Sequence, residues 1–127
     1  MYDFNKVESQ VTKEEILSKI EILDIWRRYC SNFQEVNVSF KSELYIDNNA
    51  DCRIYLANNG ELKYKDFGSG DNFNCFSYIM TKYNCNYYEA LNIVANDFKI
   101  KDIKVTINPN IILSNDELNI NKEIIIK

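Results

Sequence analysis

Two short stretches with a two-residue period, Arg53 to Leu56 and Leu62 to Lys65, stand on either side of Asn58-Asn59-Gly60. Residues that tolerate positive φ between two runs of alternating apolar and polar side chains predict an antiparallel β-hairpin. Upstream, Leu44 and Ile46 alternate with Tyr45 and Asp47, which predicts another half-buried strand, and Asn48-Asn49-Ala50-Asp51 then turns the chain into the hairpin. The β-region therefore runs from Val36 to Asp66. Within it Leu44, Ile46, Ile54, Leu56, Leu62 and Tyr64 are expected to face the core.

Helical signals flank this region. Thr12-Lys13-Glu14-Glu15 has the pattern of a capping box, in which hydroxyl and carboxylate each accept an otherwise orphaned backbone N–H. Ile16, Ile20, Leu23 and Trp26 follow at helical spacing, so a helix is expected to reach toward Cys30 with a break near Glu21. Beyond the Gly68-Ser69-Gly70 turn, Phe76, Ile79, Met80 and Tyr83 mark one short helix. Tyr87, Leu91, Val94, Ala95 and Phe98 mark another, capped by Asn86 with Glu89. The expectation is an α+β domain over residues 1–100, with an antiparallel sheet between an N-terminal helix and two C-terminal helices. From Lys101 the chain mixes β-branched residues with Asn108-Pro109-Asn110 and reads as a turn, a weak strand or a disordered extension over 101–127.

With 127 residues and 46% hydrophobic side chains, the chain can build one domain with a sizeable core. Its apolar runs are only a few residues long and Met1 to Lys6 has no basic-then-apolar leader, so no membrane contact and a cytoplasmic location are expected. The four cysteines, at 30, 52, 75 and 85, lie ten or more residues apart in a chain without histidine. Close C-x2-C pairs set two zinc ligands on one turn, and none is present; reduced thiols packed as small hydrophobes are expected instead. No nucleophile stands with a recognisable base motif, and Asp47, Asp66 and Glu89 cannot be paired from sequence, so a binding protein without catalytic residues or small-molecule cofactor is expected. Asp66-Phe67-Gly68 and Gly68-Ser69-Gly70 lack the companion motifs of kinases and phosphate loops and read as turns.

Several pieces, in order, carry a resemblance: Ile22-Leu23-Asp24-Ile25, Ser42-x-Leu44-x-x-Asp47, Ile54-Tyr55, Lys65-Asp66-Phe67-Gly68-Ser69-Gly70, Phe76-x-x-Ile79, and Tyr88-Glu89-Ala90-Leu91 with Ala95. Together they resemble the CHC2-type zinc-ribbon domain of DNA primases, especially divergent primase-like proteins of phages. The resemblance implies a small zinc-ribbon-like sheet. It puts the family's four zinc ligands on Ser42, Tyr45, Asp66 and Ser69, which are poor ligands as a set, so it implies a sheet without zinc. Glu43 replaces the usual proline, Ala50-Asp51 the usual Pro-Ser, and Phe73-Asn74 the usual Gly-Asp; Tyr45 stands where zinc-free members often have arginine. The polymerising chemistry of a primase belongs to a separate downstream domain, so this chain is expected not to prime DNA alone.

Alternation along the predicted strands sends Tyr45, Arg53, Tyr55, Lys63 and Lys65 to the face opposite the core. Cations that meet phosphates and tyrosines that stack on unpaired bases make a surface for single-stranded nucleic acid. The net charge of −4 opposes phosphate binding by the molecule as a whole, so such binding must be local. Two partner classes remain open: single-stranded nucleic acid or a replication protein in the first, and in the second a basic host protein, bound by an acidic phage-encoded inhibitor.

Overall fold

The computed structural model of the chain describes residues 10–101, in which two short helices precede a three-stranded antiparallel sheet and two further helices follow it. Helix α1 (Lys13–Leu17) starts as its sequence predicts: Glu15 N donates to Thr12 Oγ1 at 3.0 Å and Thr12 N to Glu15 Oε1 at 3.2 Å. The expected break is present. The amides of Lys19 and Ile20 both donate back to Ile16 O, which closes α1. Helix α2 (Ile22–Tyr29) then restarts from Glu21, whose N–H donates to Asp24 Oδ2 at 3.0 Å.

Strands β1 (Cys52–Leu56) and β2 (Leu62–Asp66) form the predicted hairpin, with Arg53 opposite Lys65, Ile54 opposite Tyr64 and Tyr55 opposite Lys63. Of the three turn residues only Gly60 takes positive φ, at 88°, and its N–H donates to Ala57 O at 2.9 Å. The third strand, β3 (Asn72–Phe73), pairs with Tyr64 and Lys65 and gives the order β1-β2-β3. On the other side of β1, Phe40 bridges Cys52 and Asn37 N donates to Ile54 O at 2.8 Å, so that edge is occupied by the chain's own backbone.

The strand expected over Leu44 to Asp47 does not form. Asp47 accepts backbone N–H bonds from Ser42 at 2.7 Å and Asn49 at 3.1 Å, and these local bonds fold the segment back on itself instead of leaving it extended. Ile46 is in consequence 93% exposed rather than in the core. Leu56 is exposed as well, because it closes β1 at the mouth of the hairpin loop, past the last fully buried pair, Ile54 and Tyr64. Leu44 and Leu62 are half-buried.

The inner face of the sheet packs on α2 and α3 (Cys75–Tyr83) around Trp26, which is 1% exposed. Its ring lies 6.1 Å from that of Tyr64 and edge-on to Tyr78 at 5.2 Å, and its Nε1 donates to Leu62 O at 3.0 Å. That one bond gives a partner to the buried indole N–H and ties α2 to the sheet. Helix α3 is capped by Asn74 with Ser77, and α4 (Tyr87–Asp97) by the predicted Asn86 with Glu89, both bonds at 2.8 Å. Ile25, Ile54 and Ile79 are each at most 1% exposed, and full burial of one such side chain contributes about 1.5–3 kcal/mol. Among the described residues no helix is long and apolar enough to cross a membrane. The extension over 101–127 lies, Lys101 apart, outside the described residues.

Candidate nucleic-acid interface

Four of the five sequence-predicted site residues share the outer face of the sheet. Arg53 and Lys65 are Cα partners across β1 and β2, and so are Tyr55 and Lys63 one step along, which makes a two-by-two array. Their inward neighbours Ile54 and Tyr64 are buried, so the strand alternation fixes the outward direction. Arg53 Nε donates to Ser39 Oγ at 3.0 Å. None of Arg53, Lys63 and Lys65 pairs with a carboxylate of a described residue; the four ion pairs found there involve Lys13, Arg28, Lys82 and Lys101. Like charges stand opposite each other at Arg53 and Lys65, a placement that is destabilising in the free sheet and relieved by an anion.

The fifth residue, Tyr45, is not on this face. With no strand at 44–47, its alternation is lost, and its hydroxyl donates to Asp66 Oδ2 at 2.6 Å instead. Asp66 shares the inward parity of Tyr64 and is fully buried at the end of β2. Its other oxygen, Oδ1, accepts from Gly68 N at 2.8 Å and Ser69 N at 3.1 Å, and a Cβ at Gly68 would crowd Oδ1 at 3.2 Å and Asp51 Oδ2 at 3.1 Å. Burial pushes the Asp66 carboxyl up, but the bonds from Tyr45, Ser69 and Gly68 outweigh it and hold the group below its ordinary range. The Tyr45 phenol is pushed well up by donating to that carboxylate.

A second branch of the network lies beside the first. Tyr64 donates its hydroxyl to Ser42 Oγ at 3.2 Å and meets Cys52 Sγ at 3.1 Å, and Cys52 is the cross-strand partner of Asp66. Thus the loop holding Ser42 and Tyr45 meets the turn holding Asp66 and Ser69. Glu43 fixes that loop from behind: it accepts from the Tyr78 hydroxyl and pairs with Lys82 at 3.3 Å, while Lys82 also donates to Tyr29 O at 2.8 Å.

These four positions do not fit a zinc ion. Tyr45 keeps its proton in the bond to Asp66, Ser69 reaches Asp66 through its backbone, and the lone carboxylate already accepts three hydrogen bonds. One other set of potential ligand atoms gathers among the described residues, those of Asp47, Cys52 and Asp66, within 4.8 Å of one another. There too each group is engaged: Asp47 with Ser42 N and Asn49 N, and Cys52 with Tyr64; burial pushes the Cys52 thiol up to about 11, against the lowering effect of the Tyr64 contact. The cluster joins two loops by hydrogen bonds.

Asn72 escaped the sequence reading. Its Nδ2 donates to the Tyr55 hydroxyl at 3.1 Å, and a two-residue strand has no period by which it could have been found. The sequence offers Asp47 only as an outward strand position and an unpaired carboxylate, and Cys52 only as a packed thiol. No family model, no curated protein and no solved structure matches the chain.

Proposed function

We propose that the protein is a non-catalytic, primase-like binding module that contacts single-stranded nucleic acid through the outer face of its sheet. The observation that carries this reading is the array of Arg53, Lys65, Lys63 and Tyr55, three cations without a carboxylate partner among the described residues around one aromatic ring. A local cationic face with a ring for stacking holds single strands with little sequence preference, even on a molecule of net charge −4. The primase resemblance is supported by the meeting of the Ser42/Tyr45 loop with the Asp66/Ser69 turn, since these are the positions at which the related domains carry zinc. The absence of histidine and the burial of three of the four thiols favour binding over catalysis.

Titration of labelled single-stranded oligonucleotides at low and moderate salt, paired with capture of partners from a host lysate, tests the proposal. Salt-sensitive binding of oligonucleotides supports it. No binding at low salt, together with capture of a basic host protein by the acidic chain, overturns it in favour of an inhibitor; capture of a replication protein without oligonucleotide binding moves the contact from nucleic acid to that partner.

A further inference from the structure

Tyr55 is held in an unusual posture for an outward strand residue. It lies on β1 opposite Lys63, whereas Asn72 lies on β3 opposite Lys65, so the two are separated by two strands across the sheet and two residues along it. Standard strand spacing and rise put their Cα atoms about 12 Å apart. A hydrogen bond of 3.1 Å between their side-chain ends leaves almost no slack over that distance. Neither side chain can stand off the sheet. The long axis of the Tyr55 side chain must run along the surface, crossing β2 between Lys63 and Lys65, a course that allows the ring to turn one face to the sheet and the other to solvent. The half-burial of Tyr55, Lys63 and Lys65, against the exposure of Arg53, agrees with a ring lying between the two lysine stems.

We infer that this face holds one unpaired nucleotide on a fixed platform, with Asn72 keeping Tyr55 flat for the base while Lys63 and Lys65, on either side of the ring, take the phosphates that flank it. The inference rests on the single-strand reading above and names the ligand unit and a positioning residue. A flat aromatic face recognises the π-face of any base, and a ring already immobilised loses little freedom when a base lands on it. Arg53, paired with Lys65, adds a second cation on one side only, so the two phosphate positions are unequal. Base pairing would keep the base edge turned to its complement and its face stacked on neighbours; an unpaired nucleotide has neither constraint.

The test compares a short labelled oligothymidylate with an abasic oligonucleotide of the same length, and an oligouridylate as the RNA arm, against wild type, Asn72→Ala and Tyr55→Phe. Both variants keep the ring and change exposed or half-buried positions, and unchanged thermal midpoints verify that they fold. Each is expected to weaken oligothymidylate binding about threefold to tenfold, short of the loss on removing the stack altogether, and to leave abasic binding unchanged. Similar losses for oligouridylate would assign the site to any single strand; losses for one sugar alone would assign it to DNA or to RNA. Equal losses on base-bearing and abasic ligands, or none on either, overturn the inference while leaving the single-strand reading standing. No binding by wild type to any of the three removes that reading and this one together.

Discussion

Tyr45 donates its hydroxyl to Asp66 Oδ2 at 2.6 Å across a separation of 21 residues, and this contact joins the loop before β1 to the turn after β2. The carboxylate it meets is fully buried and is held ionised by hydrogen bonds, with no ion pair to it among the described residues. Such a group is costly to bury and is stable only while its acceptors are filled.

Acid should therefore weaken the fold through Asp66. Its folded-state value is depressed below the ordinary 3.8, so the stabilisation is fully present above 3.8 and is lost as pH falls through the lower folded value. Asp66→Asn keeps the shape but removes the charge, and is expected to cost on the order of 1–3 kcal/mol near neutral pH. In urea titrations the variant should lose less stability than wild type as pH falls below 3.8. Parallel losses for the two proteins would show that Asp66 does not carry the acid response.

The same saturation predicts indifference to metal. Purified protein should hold no stoichiometric zinc, and a strong chelator should leave its thermal midpoint unchanged, whereas a domain closed by zinc unfolds when the metal is withdrawn. One zinc per chain by elemental analysis would overturn the reading of Ser42, Tyr45, Asp66 and Ser69.

The thiols give a third check. Cys30, Cys52 and Cys75 are buried and free, and burial is the main cause that pushes Cys30 and Cys75 up to about 12 and Cys52 to about 11. Thiolate is the reactive form, so at mildly alkaline pH these three should label slowly in the native protein and rapidly in urea. Cys85 is half-buried and should label first, although burial raises it as well, to about 11. A reducing agent should leave the thermal midpoint nearly unchanged; a large downward shift would reveal a disulfide.

What could be read from the sequence follows from which interactions are local. The hairpin was legible because Gly60 supplies the positive φ and the inward Ile54 and Tyr64 alternate with Arg53, Tyr55, Lys63 and Lys65. The caps at Thr12 and Asn86 were legible because both partners lie within four residues of each other. Leu44 to Asp47 had the same alternation and misled, because a side chain can take backbone N–H groups from a strand, and Asp47 takes two. Tyr45 left the proposed surface with it. The bond from Asn72 to Tyr55 spans 17 residues and two strands, and no pattern in the sequence could announce it.

The outer face yields the most discriminating prediction, since charge and stacking can be removed separately. Lys63 and Lys65 lie one step apart on β2 with no carboxylate partner among the described residues, so replacing both by Ala removes cations without breaking an ion pair there. If each meets one phosphate, the double variant should bind every single strand more weakly, and its slope of log affinity against log salt should flatten by about 1.4, twice the roughly 0.7 due to one phosphate on a single strand. Tyr55→Ala should act differently. It removes a stack worth about 1–3 kcal/mol per base, with little change in slope, because no charge is lost. Fluorescence titrations of one labelled oligonucleotide at several salt concentrations measure both effects. A Tyr55→Ala variant that flattens the slope, or a double lysine variant that loses affinity with its slope intact, would contradict the division of labour between ring and cations. Arg53→Ala should fall with the lysines, but by a smaller step, because the guanidinium already spends one donor on Ser39.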